Sequence, residues 1–268
     1  MKIGIFYKEK NLQIVDVIVD EALRYGFEID DDNPDIVFSV GGDGTFLKAV
    51  HKYLDRLDDI FFVGVNGGSL GFFYEFSKDD IGVIFSKIET KSYKIKEHTL
   101  LKGLATYNKS KEEIYALNEI RMENPFHTLI SNVSINGEEL ETFRGNGLIV
   151  SSSIGSSAYN KSLGGALIDS DIEALELTEV AGISNNAYRS LGSSLVIKGD
   201  KNITLSCEVN NAVVGYDHLN INKDDELVKL DVCYSDKKAR IIYSEDHSYV
   251  QKIRKSFVLW VHLYFSMN

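Results

Sequence analysis

The stretch SVGGDGTFLKAV, residues 39–50, places a carboxylate, Asp43, inside a glycine-rich turn between an apolar run and a helical pattern. Turns of this kind hold phosphate through backbone N–H groups and the positive end of the following helix. An acid there repels the ligand that the turn attracts, unless it has a chemical task. Transfer of a phosphoryl group onto a hydroxyl supplies one. Asp43 would accept or orient the hydroxyl proton while glycine N–H groups and a metal ion hold the phosphates. GGDGT lacks the Lys-Ser/Thr ending of a P-loop and the third glycine of G-x-G-x-x-G, so it is neither common phosphate loop. By composition alone it also reads as a tight strand-to-helix connection. Lys48, one helical turn further on, offers positive charge to the turn or simply a solvated face.

The elements that must position this turn alternate strand and helix. IGIFY (3–7), DIVFSV (35–40) and IFFVGV (60–65) read as short apolar strands. Leu12, Val15, Ile18, Val19, Ala22 and Leu23 recur at helical steps between the first two. The glycine turn leads into a helix over about residues 45–57, and Ser77 with Asp80 forms a capping box for another over about 78–88. This pattern predicts βαβ units and a parallel sheet. The acidic stretch EIDDDNPD (28–35) reads as a solvated loop.

After about residue 95 the period changes to short runs rich in β-formers, with Asn136-Gly137 marking a type I′ hairpin. The expected architecture is a two-domain α+β protein. An α/β domain (1–95) carries GGDGT, a mostly antiparallel β-sandwich domain (96–246) follows, and an apolar tail (247–268) packs back on the first.

Apolar residues at 44% and charged residues at 26% describe a globular chain with a full core. No apolar run approaches a bilayer span, and the N-terminus has no signal-peptide pattern, so no membrane partner is expected and a cytoplasmic location is. A net charge of −11 argues against a nucleic-acid partner, which would need a basic surface. Cys207 and Cys233 read as buried reduced thiols, and no Cys/His cluster has zinc spacing.

GGDGT (41–45), GSLGF (68–72), LNE (117–119), RGNGL (144–148) and GSSAYNKSLGGA (155–166) occur in the order expected of bacterial NAD kinases. LTEVAGISNNAYRSLGSSLV and YDHL resemble the segments that follow in that family. The resemblance covers nearly the whole chain, whereas GGDGT alone is shared with lipid kinases and, in variant form, with phosphofructokinases. It implies transfer of a phosphoryl group from ATP or inorganic polyphosphate to the 2′-hydroxyl of the adenosine ribose of NAD, giving NADP. Mg²⁺ or another divalent metal would accompany the donor, with no protein side chain assigned to it.

Carried onto this sequence, the resemblance makes Asp43 the catalytic acid/base for that hydroxyl. Asn118 and Glu119 would hold adenine and ribose. Ser157, Ala158, Tyr159 and Ser162 would line the nucleotide site, with the Tyr159 ring available for stacking. Gly44, Lys48, Phe72, Arg144, Asn146 and Ala181 complete the NAD-binding set, Phe72 lying near the adenine. Asp217 and His218 are further candidates. Phe72 and Tyr159 serve equally well as core residue types, and a lone histidine is often structural. Homodimers or homotetramers, with a site in the cleft between domains and near a subunit interface, are implied as well.

The sequence departs from the family pattern at two places. Residues 152–159 read SSIGSSAY where the family has Thr-Pro-Thr-Gly-Ser-Thr-Ala-Tyr, losing a stiffening proline. The hydroxyls of Ser152, Ser156 and Ser157 remain for phosphate or ribose. Asn146 replaces an acid that touches nucleotide in relatives, so restoring the acid is expected to tighten NAD binding. These changes raise one rival, a non-catalytic NAD(P)-binding sensor; a lipid kinase sharing GGDGT is the other.

Overall fold

The computed structural model describes residues 1–68, 71–208, 212–244 and 248–258. Ser69 and Leu70 of the GSLGF loop, and the apolar tail from residue 259 onward, lie outside the described residues. The chain forms two compact units, Met1–Glu97 together with the segment from Ala239, and His98–Lys238.

The first unit opens with β1 (Lys2–Tyr7), α1 (Leu12–Arg24), β2 (Glu28–Ile29), β3 (Ile36–Gly41), α2 (Asp43–Lys52), β4 (Phe61–Asn66) and α3 (Ile81–Glu89). The strands are ordered β2-β1-β3-β4 and every pairing among them is parallel. Alternation along the strands sends Ile36, Phe38, Val40, Val63 and Val65 to one face. There they meet Val15, Ile18 and Ala22 of α1 and Ile81, Ile84, Phe85 and Ile88 of α3. Phe62 points the other way and takes Phe46 of α2, ring centroids 5.6 Å apart. Helices on both faces explain why the strands read as continuous apolar runs.

Ser77 and Asp80 do form the capping box, through a short 3-10 turn (Lys78–Asp80) ahead of α3. The acidic stretch is more than a solvated loop. Asp30 accepts hydrogen bonds from the amides of Asp32 and Asn33, Asp31 from that of Ile5, and Asp35 from that of Lys2. Its carboxylates tie the loop to the edge of β1 because a chain turning this tightly leaves amides that need acceptors.

The second unit contains β5 (Lys94–Tyr107), β6 (Lys111–Ala116), β7 (Glu119–Glu123), β8 (Leu129–Ile135), β9 (Glu138–Gly145), β10 (Gly147–Ser152), the single turn α4 (Tyr159–Ser162), β11 (Ala174–Val180), β12 (Leu195–Lys198), β13 (Ile203–Cys207), β14 (Val213–Tyr216), β15 (Leu219–Ile221) and most of β16 (Leu227–Tyr243). One layer runs β12-β11-β10-β7-β14-β15, with antiparallel pairings. The other places β16, β13, β8 and β9 side by side, with β5 on β16 and β6 on β5. Ile120, Met122, Leu148, Val150 and Leu175 from the first layer share one core with Leu129, Val133, Phe143, Leu205 and Leu230 from the second. This is a sandwich. Asn136 (φ 51°) and Gly137 (φ 83°) make the β8–β9 turn, both in the left-handed region that a type I′ turn requires.

The last residues of β16 belong to the first unit, where Ile241 pairs in parallel with Phe62. The single-turn helix α5 (Tyr249–Ile253) follows, capped by the Ser248 side chain. Cys207 and Cys233 form no disulfide and are half-buried, not buried; Cys207 packs at the rim of the sandwich core, where β13 ends. Among the described residues, no helix is long and apolar enough to cross a membrane.

Gly64 on β4 is fixed by sterics, since a Cβ there would lie 2.0 Å from the Phe73 carbonyl oxygen. Gly64→Ala should therefore cost about 1–3 kcal/mol, the usual range for forced overpacking. A thermal melt reads this as a lower midpoint, and an unchanged midpoint would refute the close approach.

Candidate functional site

The structure gives Asp43 a precise seat. Gly42 is the N-cap of α2 in extended conformation, and Asp43 is the first helical residue, where a negative charge meets the positive helix end. Its side chain turns to the loop after β4. The Phe72 amide donates to Oδ2 at 2.9 Å and the Phe73 amide to Oδ1 at 3.1 Å. The Tyr74 hydroxyl donates to the Gly42 carbonyl at 2.7 Å, closing the same loop onto the turn. Gly71 is required here, because a Cβ would stand 2.6 Å from Asp43 Oδ1 and 2.8 Å from the Tyr74 ring.

Burial pushes the Asp43 carboxyl above the ordinary carboxylate range, opposed by the two amides and by the Lys252 ammonium. Burial, and then the Asp43 charge, likewise hold the Tyr74 phenol protonated well beyond its usual value. Asp43 is thus a base of strengthened proton affinity, with lone pairs left over after accepting two amides. Gly44 and Lys48 are exposed on the outer side of α2. The half-buried Phe72 ring packs on Tyr249 and Phe257, with centroids 6.3 and 5.7 Å away.

In the second unit, Asn118 directly precedes β7 and Glu119 begins it, 6% and 4% exposed. Asp217 organises them. It sits at φ 46° in the turn between β14 and β15, and its carboxylate accepts the amides of Leu117 (2.9 Å) and Asn118 (2.8 Å). Arg121 donates to Glu119 Oε1 at 3.3 Å, to Glu123 at 2.9 Å and to the Asp217 carbonyl at 3.1 Å. Asn118 Oδ1 and Glu119 Oε2 remain buried without a partner. Unpaired buried polar atoms are costly, so this pair stands out among the buried groups of the second unit. Burial, then the Asp217 charge, raise the Glu119 carboxyl to about 8 against the pull of Arg121.

Gly155 packs directly on this pair, since a Cβ would lie 2.0 Å from the Asn118 carbonyl oxygen. The Ser152 hydroxyl is not free for phosphate or ribose. It donates to the Leu117 carbonyl at 2.6 Å and accepts the Gly155 amide at 3.1 Å. Ser156 is also buried and bonded to both backbone groups of Ile168. Of these three serines only Ser157 stays half-exposed, with Ala158 beside it. Tyr159 is 38% exposed, 3.5 Å from Glu123 and near the Arg121 guanidinium. Ser162 and His218 are exposed.

Arg144, Asn146 and Ala181 gather at the ends of β9, β10 and β11. Ala181 has φ 48°, and the Ile183 amide returns to the Arg144 carbonyl at 2.7 Å. The Arg144 guanidinium lies 4.3 Å from the Tyr188 ring centroid. The Asn146 side chain donates to the Asn124 carbonyl at 3.2 Å. An aspartate has no donor for that carbonyl, so restoring the acid costs this hydrogen bond.

The sequence patterns missed several supports. Asn11, 4% exposed, donates to the Val40 carbonyl at 3.0 Å under the glycine turn. A buried Asn160 bridges Glu176 (2.7 Å) and Thr178 (2.6 Å), while Glu176 also accepts the Ala166 amide, fastening the SSAYNKSLGGA loop. Only their polarity within apolar surroundings marks them in the sequence.

Residues 8–93 match the model of the ATP-NAD kinase N-terminal domain, and residues 117–244 that of the ATP-NAD kinase C-terminal domain. The chain belongs to the NAD kinase family. Similar relatives include NAD kinase 1 of Bacillus cereus, 39% identical over 240 residues (88% of this chain, 90% of that one). NAD kinase 1 of Bacillus subtilis is 38% identical over 241 residues, with the same coverage. A yeast NADH kinase solved with NADH shares the fold at a TM-score of 0.83 and 17% identity, over 100% of this chain and 90% of that one. An NAD kinase from Archaeoglobus fulgidus solved with ATP shares it at 0.77 and 22%, over 96% and 97%. In this NAD kinase family member, the two matched models contain the Asp43 seat and the Asn118–Glu119 pair respectively.

Glu119 titrates higher in the folded chain than its unfolded value of 4.5, so the native state holds the extra proton. Its contribution is full below that value and is lost as pH rises toward about 8. Glu119→Gln, which mimics the protonated acid, should gain on wild type across that window, by roughly 1.4 kcal/mol per unit of pH at most. Melts at pH 5 and pH 9 check it; a constant difference would contradict the raised value. Asn146→Asp, in turn, should lose about 1 kcal/mol of stability and bring no tighter NAD binding, read by melts and calorimetric titration.

Proposed function

We propose that this chain phosphorylates the 2′-hydroxyl of the adenosine ribose of NAD, with ATP or inorganic polyphosphate as donor, to give NADP. The observation that carries the reading is the Asp43 carboxylate, seated on the helix end by the Phe72 and Phe73 amides. The 2′-oxygen forms the new P–O bond, the bond to the departing ADP or shortened polyphosphate breaks, and the hydroxyl proton passes to Asp43. Adenine carries an amino donor and ribose carries hydroxyl donors. These suit the unpartnered Asn118 Oδ1 and Glu119 Oε2. Accepting such donors favours the ionised form of Glu119, which a bound nucleotide would thereby draw back toward a carboxylate. Tyr159 and Ser157 are accessible enough to line the same nucleotide.

Magnesium belongs to the donor in this reading. Among the described residues, no group of three or more His, Cys, Asp or Glu side chains is placed to hold a metal ion. Mg²⁺ keeps several waters and takes phosphate oxygens readily, so it would enter with ATP or polyphosphate and neutralise their charge. We place the activity in the cytoplasm and in a homodimer or homotetramer. Self-association is what the resemblance to the family implies.

Purified chain with Mg²⁺, NAD and each donor in turn should yield NADP, read by a coupled NADP-specific dehydrogenase. NAD binding without NADP from any donor would point to a sensor, and phosphorylation of a lipid instead would point to the lipid kinases. Asp43→Asn should lower kcat by about 10²–10⁴-fold, the usual worth of a general base. The amide cannot accept both Phe72 and Phe73 N–H groups, so a lower melting midpoint should accompany the loss. A variant with near wild-type kcat would remove Asp43 from the chemistry.

A further inference from the structure

The loop that seats Asp43 is itself held from behind. Lys252, on α5, donates from Nζ to the Phe72 carbonyl at 2.6 Å. That carbonyl belongs to the same peptide group as the Phe73 amide, which donates to Asp43 Oδ1 at 3.1 Å. The peptide is planar and trans, so its C=O and N–H point in opposite directions. A cation stands at its oxygen end and a carboxylate at its hydrogen end, each polarising the bond the other uses.

The ammonium is fixed in turn. It pairs with Glu75 Oε2 at 3.3 Å, lies 4.6 Å from the Tyr243 ring centroid, and is on a side chain only 13% exposed. Glu75 accepts the Ser244 hydroxyl at 2.7 Å. The Phe72 ring, packed between Tyr249 and Phe257, joins the same C-terminal segment to the loop. A cavity of about 440 Å³ opens beside these groups, lined by Gly71, Tyr74, Glu75 and Lys252 among others.

The geometry points to Lys252 as a positioning residue for Asp43, acting through the Phe72–Phe73 peptide to fix where the carboxylate points. The assignment rests on Asp43 being the base of the proposed phosphoryl transfer. Among the described residues, the charged and titratable groups facing this pair can be named one by one. Lys252 faces Glu75, Asp43 and Lys96, with Tyr243 beneath it, and Asp43 faces Lys252 and Tyr74. Burial raises the Asp43 carboxyl and the ammonium opposes that rise. Removing the cation therefore leaves burial less opposed, and the carboxylate should ionise at higher pH.

The test compares Lys252→Met and Lys252→Arg with wild type in the full chain, following kcat and KM for NAD against pH. Lys252→Met keeps the length and apolar stem but loses charge and donor. Its acidic limb should move up by about one pH unit, the lower end of the effect of a nearby opposite charge. At a pH on the wild-type acidic limb its kcat should fall roughly tenfold, with KM within twofold. Lys252→Arg should restore most of both. An acidic limb and kcat like wild type, a change confined to KM, or a loss independent of pH that arginine does not repair would each overturn the assignment. Should Lys252→Met fail to fold, Glu75→Gln reads the same coupling by loosening the ammonium, and an unmoved limb there would overturn it.

Amide exchange keeps this separate from the activity itself. If wild type made no NADP with any donor, the kinase reading would fail. The holding of the loop would still be read from the amides of Phe72 and Phe73, followed by mass spectrometry. Faster exchange in Lys252→Met than in wild type supports the assignment, and equal exchange overturns it.

Discussion

Everything in the first unit converges on two backbone amides reaching a carboxylate at a helix end. Hydrogen bonds to a charged group contribute about 1.5–3 kcal/mol each, while taking the charge from water costs an amount of similar size. The balance holds only while the Phe72–Phe73 loop is rigid. Its rigidity comes from contacts around it: Phe73 stacked on Phe46 at 4.6 Å, the Tyr74 hydroxyl on Gly42, and the bare α-carbons of Gly64 and Gly71. Glycine in this site therefore does more than free the turn to meet phosphate. It lets one stretch of backbone come close enough to another to hold an acid.

The second unit solves a similar problem with the roles reversed. There a carboxylate, Asp217, gathers the amides of Leu117 and Asn118, and the side chains it orients are left with acceptors unsatisfied. The folded chain carries an energetic debt at Asn118 and Glu119 that a donor-rich ligand can cancel. Rigid sandwich strands make such a debt tolerable, because β7 lies between β10 and β14 and cannot swing its side chains out to water. A site made of unmet acceptors also discriminates, since a ligand lacking the matching donors leaves the cost in place.

What could be read in the sequence divides along a physical line. Periodicity revealed the parallel strands, and turn chemistry revealed the capping box at Ser77 and the hairpin at Asn136-Gly137, because each of these is decided by neighbours in the chain. Asp43 was singled out by an acid inside a glycine turn, whereas Asn118 and Glu119 were singled out only by the resemblance to the family. Partners distant in sequence left no such mark. Lys252 reads as an ordinary helix lysine, and Asn11, Asn160 and Glu176 as scattered polar residues, until folding brings each to a backbone group far along the chain. The serines show the converse error: a hydroxyl-rich segment looks made for phosphate, yet Ser152 and Ser156 spend their hydroxyls on the main chain. Asn146 misleads in the same way, since family comparison at one position does not reveal that the Asn124 carbonyl needs a donor.

The first unit is discontinuous, interrupted by the whole of the second. During synthesis, a chain grown as far as Lys238 contains both motif-bearing regions, but neither the end of β16 nor α5. At that moment β4 lacks its parallel neighbour at Ile241, and Glu75 lacks both Ser244 and Lys252. The Asp43 seat is thus braced by a segment made after the whole of the second unit. A product terminated within the second unit's last strand would carry the conspicuous sequence motifs while missing the residues that brace them.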